Sequence, residues 1–283
     1  MVIFYFLFYV LLITVYGLRG CGVSISHALF LGIVQGLTEF LPVSSSGHLV
    51  LGQKLLGFEA PPVGFDILVH LGTLIAVFVF FRKELAKDIN LVFKKRDLKV
   101  FWLVTVGTLP AVGIGLLFEP FLAQIFDSLL LVGISLILTS LLLFSTSFVK
   151  KSKKKLVNAS GVNALIIGLF QSLAILPGIS RSGSTVVSGL WQGLKRQEAF
   201  KFSFYLAIPA ILGAQLLELK KLLEIGDGMV VSHLLGFIAA GITGLLSLRV
   251  LKKVLIAGKL SYFGIYCLIL GAIVVFTNIQ IKI

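Results

Sequence analysis

The residues best suited to chemistry are an acid, a histidine and an arginine, each set among serines and glycines within otherwise apolar sequence. Glu39 lies in the run Gly32-Ile33-Val34-Gln35-Gly36-Leu37-Thr38-Glu39-Phe40-Leu41-Pro42, well away from the charged loops. A carboxylate near the centre of a bilayer costs about 2.5–3.5 kcal/mol, so an acid kept there needs a reason. Gln35 precedes it by four residues and shares its face on a helix. A loop follows, Pro42-Val43-Ser44-Ser45-Ser46-Gly47-His48, and a second loop of the same kind occurs later, Pro177-Gly178-Ile179-Ser180-Arg181-Ser182-Gly183-Ser184-Thr185. Each leads into a helix. Hydroxyl side chains cap helix N-termini, the free N–H groups there bind anions such as phosphate, and glycines let the backbone come close to a ligand. The two loops together make an oxyanion cradle from Ser44, Ser46, Gly47, Gly178, Ser180, Ser182, Gly183, Ser184 and Thr185, with about half a positive charge at each helix end.

Arg181 adds a permanently charged planar fork that fits a phosphate. Its competing role is a structural clamp on Glu39 and nearby carbonyls. His48 has the chemistry of a general acid or base, a nucleophile or a metal ligand. Asp66 and His70 are four apart at a helix start and share a face, which suits a supporting role beside the site. His27 and His233 sit near predicted helix starts and read as interfacial. The lysine runs at 94–99 and 150–155 read as topogenic. No P-loop and no HExxH is present.

These polar groups need elements to position them, and composition says what those elements are. Of 283 residues 58% are hydrophobic and only 13% charged, about half the charged share of a soluble domain. Apolar runs such as 129–149 and 262–277 approach the roughly 20 residues that match a bilayer's hydrocarbon thickness. The expectation is an all-α integral membrane protein. A formal charge of +13 would suggest nucleic acid for a soluble chain. Here it reads as loop charge on one side of a membrane, and no nucleic-acid partner is expected. Cys21 and Cys267 are too few for a disulfide or metal framework. Residues 1–18 lack the basic start of a signal peptide, and 1–24 reads as an apolar extension before a single membrane domain, 25–283.

That domain repeats itself. At an offset of 136 Ala28, Leu29, Gly32, Gln35, Leu37, Ser44, Ser46 and Gly47 meet Ala164, Leu165, Gly168, Gln171, Leu173, Ser180, Ser182 and Gly183. Further on, Phe65 meets Phe202, Gly107 meets Gly236, Gly115 meets Gly244 and Gly133 meets Gly264. The units are 25–155 and 156–283. Each begins with a Pro-interrupted pair of apolar segments (25–41 with 43–57; 161–176 with 184–194), read as a re-entrant helix–loop–helix. Three crossings follow, at 65–81, 101–118 and 129–148, then at 202–219, 232–250 and 261–280. An odd number of crossings inverts the second copy, and in inverted repeats interrupted segments mark the functional site. Placing 82–99 in the cytoplasm also puts 150–155, 195–201 and 249–259 there, and with them most of the 25 basic residues, as the positive-inside rule asks. Lys220 and Lys221 run against it.

The segment from Gln35 to His48 and the segment from Pro177 to Thr185 resemble the two signatures of the undecaprenyl-diphosphate phosphatase family of bacteria, also called the bacitracin-resistance protein family. The similarity spans 25–280. The resemblance implies removal of the terminal phosphate from a polyprenyl diphosphate, which regenerates the lipid carrier of cell-wall synthesis. It implies a divalent cation, Mg²⁺ or Ca²⁺, and a multi-pass protein of the bacterial cytoplasmic membrane whose site opens toward the outer face. By motif, Glu39, Ser45, His48 and Arg181 are the catalytic candidates and Glu39 with Gln35 the metal candidates. Position 35 is Gln where some members have Glu, which leaves Glu39 the one acid expected on the metal. The nucleophile stays open among Ser45, His48 and a water. A carrier moving polyprenyl phosphate between leaflets is the alternative function, and a homodimer stays open. The Lys-x6-Arg-Pro element of type-2 phosphatidate phosphatases is absent.

Overall fold

The computed structural model describes residues 24–55, 63–150, 152–217 and 230–281. The expected extension over 1–24 lies outside them up to residue 23, as do Cys21, Lys220 and Lys221. The described residues form ten α-helices: α1 (Ile25–Phe40), α2 (Ser45–Leu55), α3 (Val63–Lys95), α4 (Lys99–Asp127), α5 (Leu129–Ser145), α6 (Gly161–Ser172), α7 (Arg181–Trp191), α8 (Arg196–Leu217), α9 (Val230–Ala257) and α10 (Ser261–Ile281). Six of them, α3, α4, α5, α8, α9 and α10, contain stretches long and apolar enough to cross a membrane.

Local chemistry sets the helix ends. Ser24 caps α1 by accepting from the His27 N–H, and Ser128 caps α5 by accepting from the Leu131 N–H. Ser160 and Asn163 form a reciprocal capping box on α6. α1 stops just before Pro42, because the residue preceding a proline is pushed out of the helical region. Several helices run past the apolar segments predicted for them. α3 continues through the basic stretch to Lys95, α9 runs to Ala257, and α8 already starts at Arg196. Hydropathy marks where a chain leaves the hydrocarbon, whereas Lys, Arg and Glu are good helix formers. α7 likewise starts at Arg181, inside the segment read as loop, because the Ser180 hydroxyl accepts from the Gly183 N–H and nucleates the turn there.

The short helices pair into two hairpins, α1–α2 and α6–α7, each wedged against long helices. α1 packs along α9 and α6 along α4, while α5 lies against α10 and α3 against both α8 and α9. Glycines make these crossings. At Gly32 a side chain would collide with the backbone of Gly236, and at Gly168 with that of Gly107. Gly133 and Gly271 meet the same way between α5 and α10. Backbones in such contact gain dispersion that no bulkier pair permits, the usual packing mode where lipid removes the hydrophobic drive between helices.

Between α1, α3 and α8 lies an aromatic core. Phe40 and Phe204 meet edge to face at 5.4 Å, and Phe200 stacks obliquely on Phe204 at 4.8 Å. At the basic end of α3 Asp88 accepts from Lys201 (2.7 Å) and from the Tyr205 hydroxyl (2.8 Å), which locks α3 to α8. The outer surface is apolar instead. The apolar window of α4 is only 11% buried, and Leu117 and Leu216 are largely exposed. Water would not tolerate that continuous apolar surface; lipid does. Replacing Gly168 by valine should lower the thermal midpoint in detergent by several degrees, since overpacking costs about 1–3 kcal/mol and the obstacle is the Gly107 backbone, its carbonyl carbon 2.9 Å from the first added atom.

Candidate active site

The two hairpin tips touch. The Ser44 hydroxyl accepts from its own hairpin's Gly47 N–H (3.3 Å) and from the Gly178 N–H across the interface (3.0 Å). Ser44 adopts a left-handed conformation, φ 69°, uncommon outside glycine, and this aims its carbonyl at the His48 ring. The opposing tip needs a true glycine. Gly178 has φ 97°, and a side chain there would strike the Val132 carbonyl and the Ser135 side chain. Thr139 of α5 then ties that tip down, donating to the Gly178 carbonyl (2.9 Å) and accepting from the Ser180 N–H (3.1 Å). Nothing in the sequence singled out Thr139, because its role exists only once α5 lies beside the tip.

Across this junction runs the one contact the sequence reading required. An Arg181 Nη2 hydrogen is donated to Glu39 Oε1 at 2.8 Å, with the carboxylate buried and the guanidinium nearly so. The other oxygen, Glu39 Oε2, accepts from the Ser45 hydroxyl (2.7 Å) and from Gln35 Nε2 (3.1 Å). His70 of α3 brings its Nε2 to 3.9 Å from the same oxygen. Its Nδ1 must carry a proton, because it donates to the Asp66 carbonyl at 2.7 Å. His70 thus lies beside Glu39, and Asp66 orients its ring through the backbone carbonyl.

His48 sits differently. Its Nδ1 donates to the Ser44 carbonyl (2.7 Å), so in the neutral ring the Nε2 lone pair is the acceptor that meets the Tyr266 hydroxyl, also at 2.7 Å. The phenol stacks on the imidazole with centroids 5.7 Å apart. Both ring nitrogens are engaged, and neither on Glu39 or Arg181. Tyr266 of α10 escaped the sequence reading because 218 residues separate it from its partner. The cradle residues divide as well. Ser44 and Ser180 serve as tip acceptors, Ser46 and Ser182 contact those same hydroxyls (3.3 and 3.2 Å), and Thr185 donates to the Arg181 carbonyl and meets Ser203 of α8 at 2.6 Å. Gly47 and Gly183 each approach the opposite tip, where an added side chain would crowd Gly178 and Pro42 respectively.

A set of buried polar atoms has no protein partner: Gln35 Oε1, Arg181 Nη1, Ser184 Oγ and both amide atoms of Gln171. Leaving a buried donor or acceptor unmade costs about 1–3 kcal/mol, and all of these fall on the two hairpins. Gln35 and Arg181 are the two of these that hold Glu39, and unmet polar atoms beside a buried carboxylate are what a site for a polar ligand leaves behind. The donor set also bears on a metal. Glu39 and the unpartnered Gln35 Oε1 offer oxygens, the ligand type hard cations take. Among the described residues no group of three or more His, Cys, Asp or Glu gathers, so most ligands of such a cation would be water or substrate oxygens, as Mg²⁺ commonly accepts. The pair fits that pattern.

A helical bundle with an apolar exterior and a buried acid–guanidinium junction is a membrane protein with an internal polar site. The family profile described as "Bacitracin resistance protein BacA" matches residues 28–273. A protein of Methanococcus vannielii bearing the name undecaprenyl-diphosphatase is 41% identical over 254 residues, 88% of this chain and 98% of the relative. Proteins of the same name from Halothermothrix orenii and Carboxydothermus hydrogenoformans are each 43% identical, over 89% and 87% of this chain and 97% and 94% of the relative. The chain belongs to this BacA family, and it is a multi-pass membrane protein.

The Ser44 hydroxyl serves two buried amides at once. Ser44→Ala should therefore cost about 1–3 kcal/mol, read as a fall in the thermal midpoint of the purified protein.

Proposed function

We propose that the protein hydrolyses the terminal phosphoanhydride of undecaprenyl diphosphate or a close polyprenyl relative, releasing inorganic phosphate and the lipid monophosphate. The observation that carries this reading is the Glu39–Arg181 junction, with Ser45 donating to the same carboxylate. The name shared by the relatives favours hydrolysis over the lipid-carrier alternative.

The residues divide the work by their chemistry. Arg181 keeps Nη1 unpartnered and presents it to the phosphoryl oxygens, where fixed positive charge stabilises the transition state. Ser45 is the nucleophile the geometry favours. His48 would first have to release its Nε2 lone pair from Tyr266, whereas the Ser45 hydroxyl already points at a carboxylate base. Ser45 Oγ attacks the terminal phosphorus, the anhydride P–O bond breaks, and Glu39 takes the serine proton and passes it to the departing monophosphate. A water then attacks the phosphoserine phosphorus and gives a proton to Glu39; the Ser45 Oγ–P bond breaks, inorganic phosphate leaves, and Glu39 returns a proton to Ser45. His70, whose Nε2 lies 3.9 Å from Glu39 Oε2, can take up the proton that Glu39 gains. Ser44, Ser46, Gly47, Gly178, Ser180, Ser182, Gly183 and Thr185 build the tips that frame the phosphates.

Charge supports a divalent cation, Mg²⁺ or Ca²⁺. Glu39 already neutralises Arg181, so a multiply charged diphosphate entering the site needs further positive charge. Glu39 and Gln35 Oε1 would hold the ion, whose chemistry is to neutralise and orient the phosphate oxygens.

The site belongs, in this reading, to an inverted repeat of re-entrant hairpins. The exchange of contacts supports it: α1 lies on α9 as α6 lies on α4, and Gly32 meets Gly236 as Gly168 meets Gly107, pairs that correspond in the internal alignment. The lysine-rich ends favour a cytoplasmic-membrane protein whose hairpin tips open toward the outer face.

Gln171 extends the site. It is the internal counterpart of Gln35, is buried, and has neither amide atom satisfied; its amide reaches the diphosphate oxygens when substrate is bound.

Purified protein given a polyprenyl diphosphate should release phosphate, lose that activity to a chelator and regain it with Mg²⁺ or Ca²⁺. Glu39→Ala and Arg181→Ala should each reduce turnover at least ~100-fold; wild-type-like release from either would remove it from the mechanism. A separate outcome is expected for Gln171→Leu. Replacing an unsatisfied buried amide by a similar apolar side chain should leave the thermal midpoint unchanged or higher, while KM rises about tenfold or more, on the scale of one lost hydrogen bond to a charged group. An unchanged KM would make Gln171 a structural residue.

A further inference from the structure

Away from the hairpin tips, a cavity of about 330 Å³ opens where α5, α7 and α9 end and α8 begins. Lys150, Lys195 and Arg196 line it, with the polar side chains of Thr146, Ser152 and Gln197. No lining residue is acidic. The nearest carboxylate in sequence, Glu198, accepts from the Leu156 N–H instead. Arg196 is held in place, Nη1 donating to the Ile256 carbonyl at 2.9 Å. The frame around it is rigid too, because the Lys195 N–H donates to the Lys154 carbonyl at 2.9 Å and Ser152 is hydrogen-bonded to the Gly193 carbonyl. Three cations lining one cavity repel each other, and with no carboxylate in the lining the arrangement calls for an anion.

Its surroundings say which anion. Phe148, two residues before Lys150, is 87% exposed, and Ile256 on the cavity wall is 43% exposed. Both stand at the edge of the apolar helices, where lipid can cover them. An exposed aromatic beside lysines, at the level where apolar helices give way to charge, is the pattern of the lipid headgroup layer, and basic pockets between helix ends at that level take phosphate headgroups. We propose that this cavity binds the phosphate of an anionic membrane phospholipid, with Lys150, Lys195 and Arg196 on the phosphate and Phe148 and Ile256 against the upper part of the acyl chains. The site is independent of the Glu39–Arg181 junction: α7 separates the two, and its 11 residues span about 15 Å. A lipid seated there braces the ends of α5, α7, α8 and α9 and so stabilises the fold without entering the reaction.

The test compares full-length protein in nanodiscs of phosphatidylcholine alone and of phosphatidylcholine with phosphatidylglycerol, for wild type, Lys150→Gln/Lys195→Gln and the control Lys94→Gln/Lys95→Gln. The control removes two exposed lysines at the end of α3, outside the cavity. Phosphatidylglycerol should raise the thermal midpoint of wild type and control by about 3 °C or more, and of the cavity variant by less than half as much. Equal shifts in all three proteins would overturn the proposal, since general surface charge would then account for them. A separate arm titrates inorganic phosphate in phosphatidylcholine discs. No shift there is expected for a lipid-borne ligand; a shift as large as that from phosphatidylglycerol, lost in the cavity variant, would overturn the lipid assignment in favour of a soluble phosphate site. Because the readout is stability, an inactive preparation would not affect the result.

Discussion

The organisation of this molecule depends on one buried ion pair. Glu39 and Arg181 come from hairpins 142 residues apart in sequence and meet at 2.8 Å among apolar helices. Taking two charges out of water is expensive, and a buried pair seldom repays that cost in stability. Losing either partner is worse, because the survivor is left uncompensated. The pair therefore forces both hairpin tips to one place, and the rest of the bundle is built to permit it. Ser44 bridges to Gly178, Thr139 pins the second tip, and the glycine crossings bring α1 and α6 close enough to their long partners for the tips to meet.

The same arrangement gives the site its chemistry. A carboxylate satisfied by an arginine, a serine and a glutamine is fixed in orientation before any ligand arrives, which is what preorganised catalysis requires. The unmet polar atoms complement it: an arginine nitrogen, a glutamine oxygen, a serine hydroxyl and a whole amide remain without partners in the hairpins. Stability alone would have removed such groups. Two of them, the arginine nitrogen and the glutamine oxygen, belong to the residues that hold Glu39.

The two halves of the sequence share a pattern unequally. The first hairpin carries acid, serine and histidine; the second places Arg181 where the first has Ser45, Ile175 where the first has Glu39, and Ser184 where the first has His48. Divergence within that pattern puts the acid on one side of the junction and the cation on the other.

Much of this was legible in the chain itself. Hydropathy announced the long helices, since a run of about 20 apolar residues has few other places to go. The rarity of charge inside such runs singled out Glu39 and Arg181, and the repeated Gly-x-x-Gln spacing tied Gln171 to Gln35. Helix limits were less legible: α3 and α9 outrun their apolar segments, and α7 begins at Arg181 because a serine cap, not hydropathy, decides where it starts. Only tertiary structure could supply Thr139 beside Gly178, Tyr266 on His48, and the three cations around one cavity. Sequence alone determined which groups are too costly to bury without purpose, because that cost belongs to each residue. Which groups meet is a property of helices packed in three dimensions, and there the fold decided.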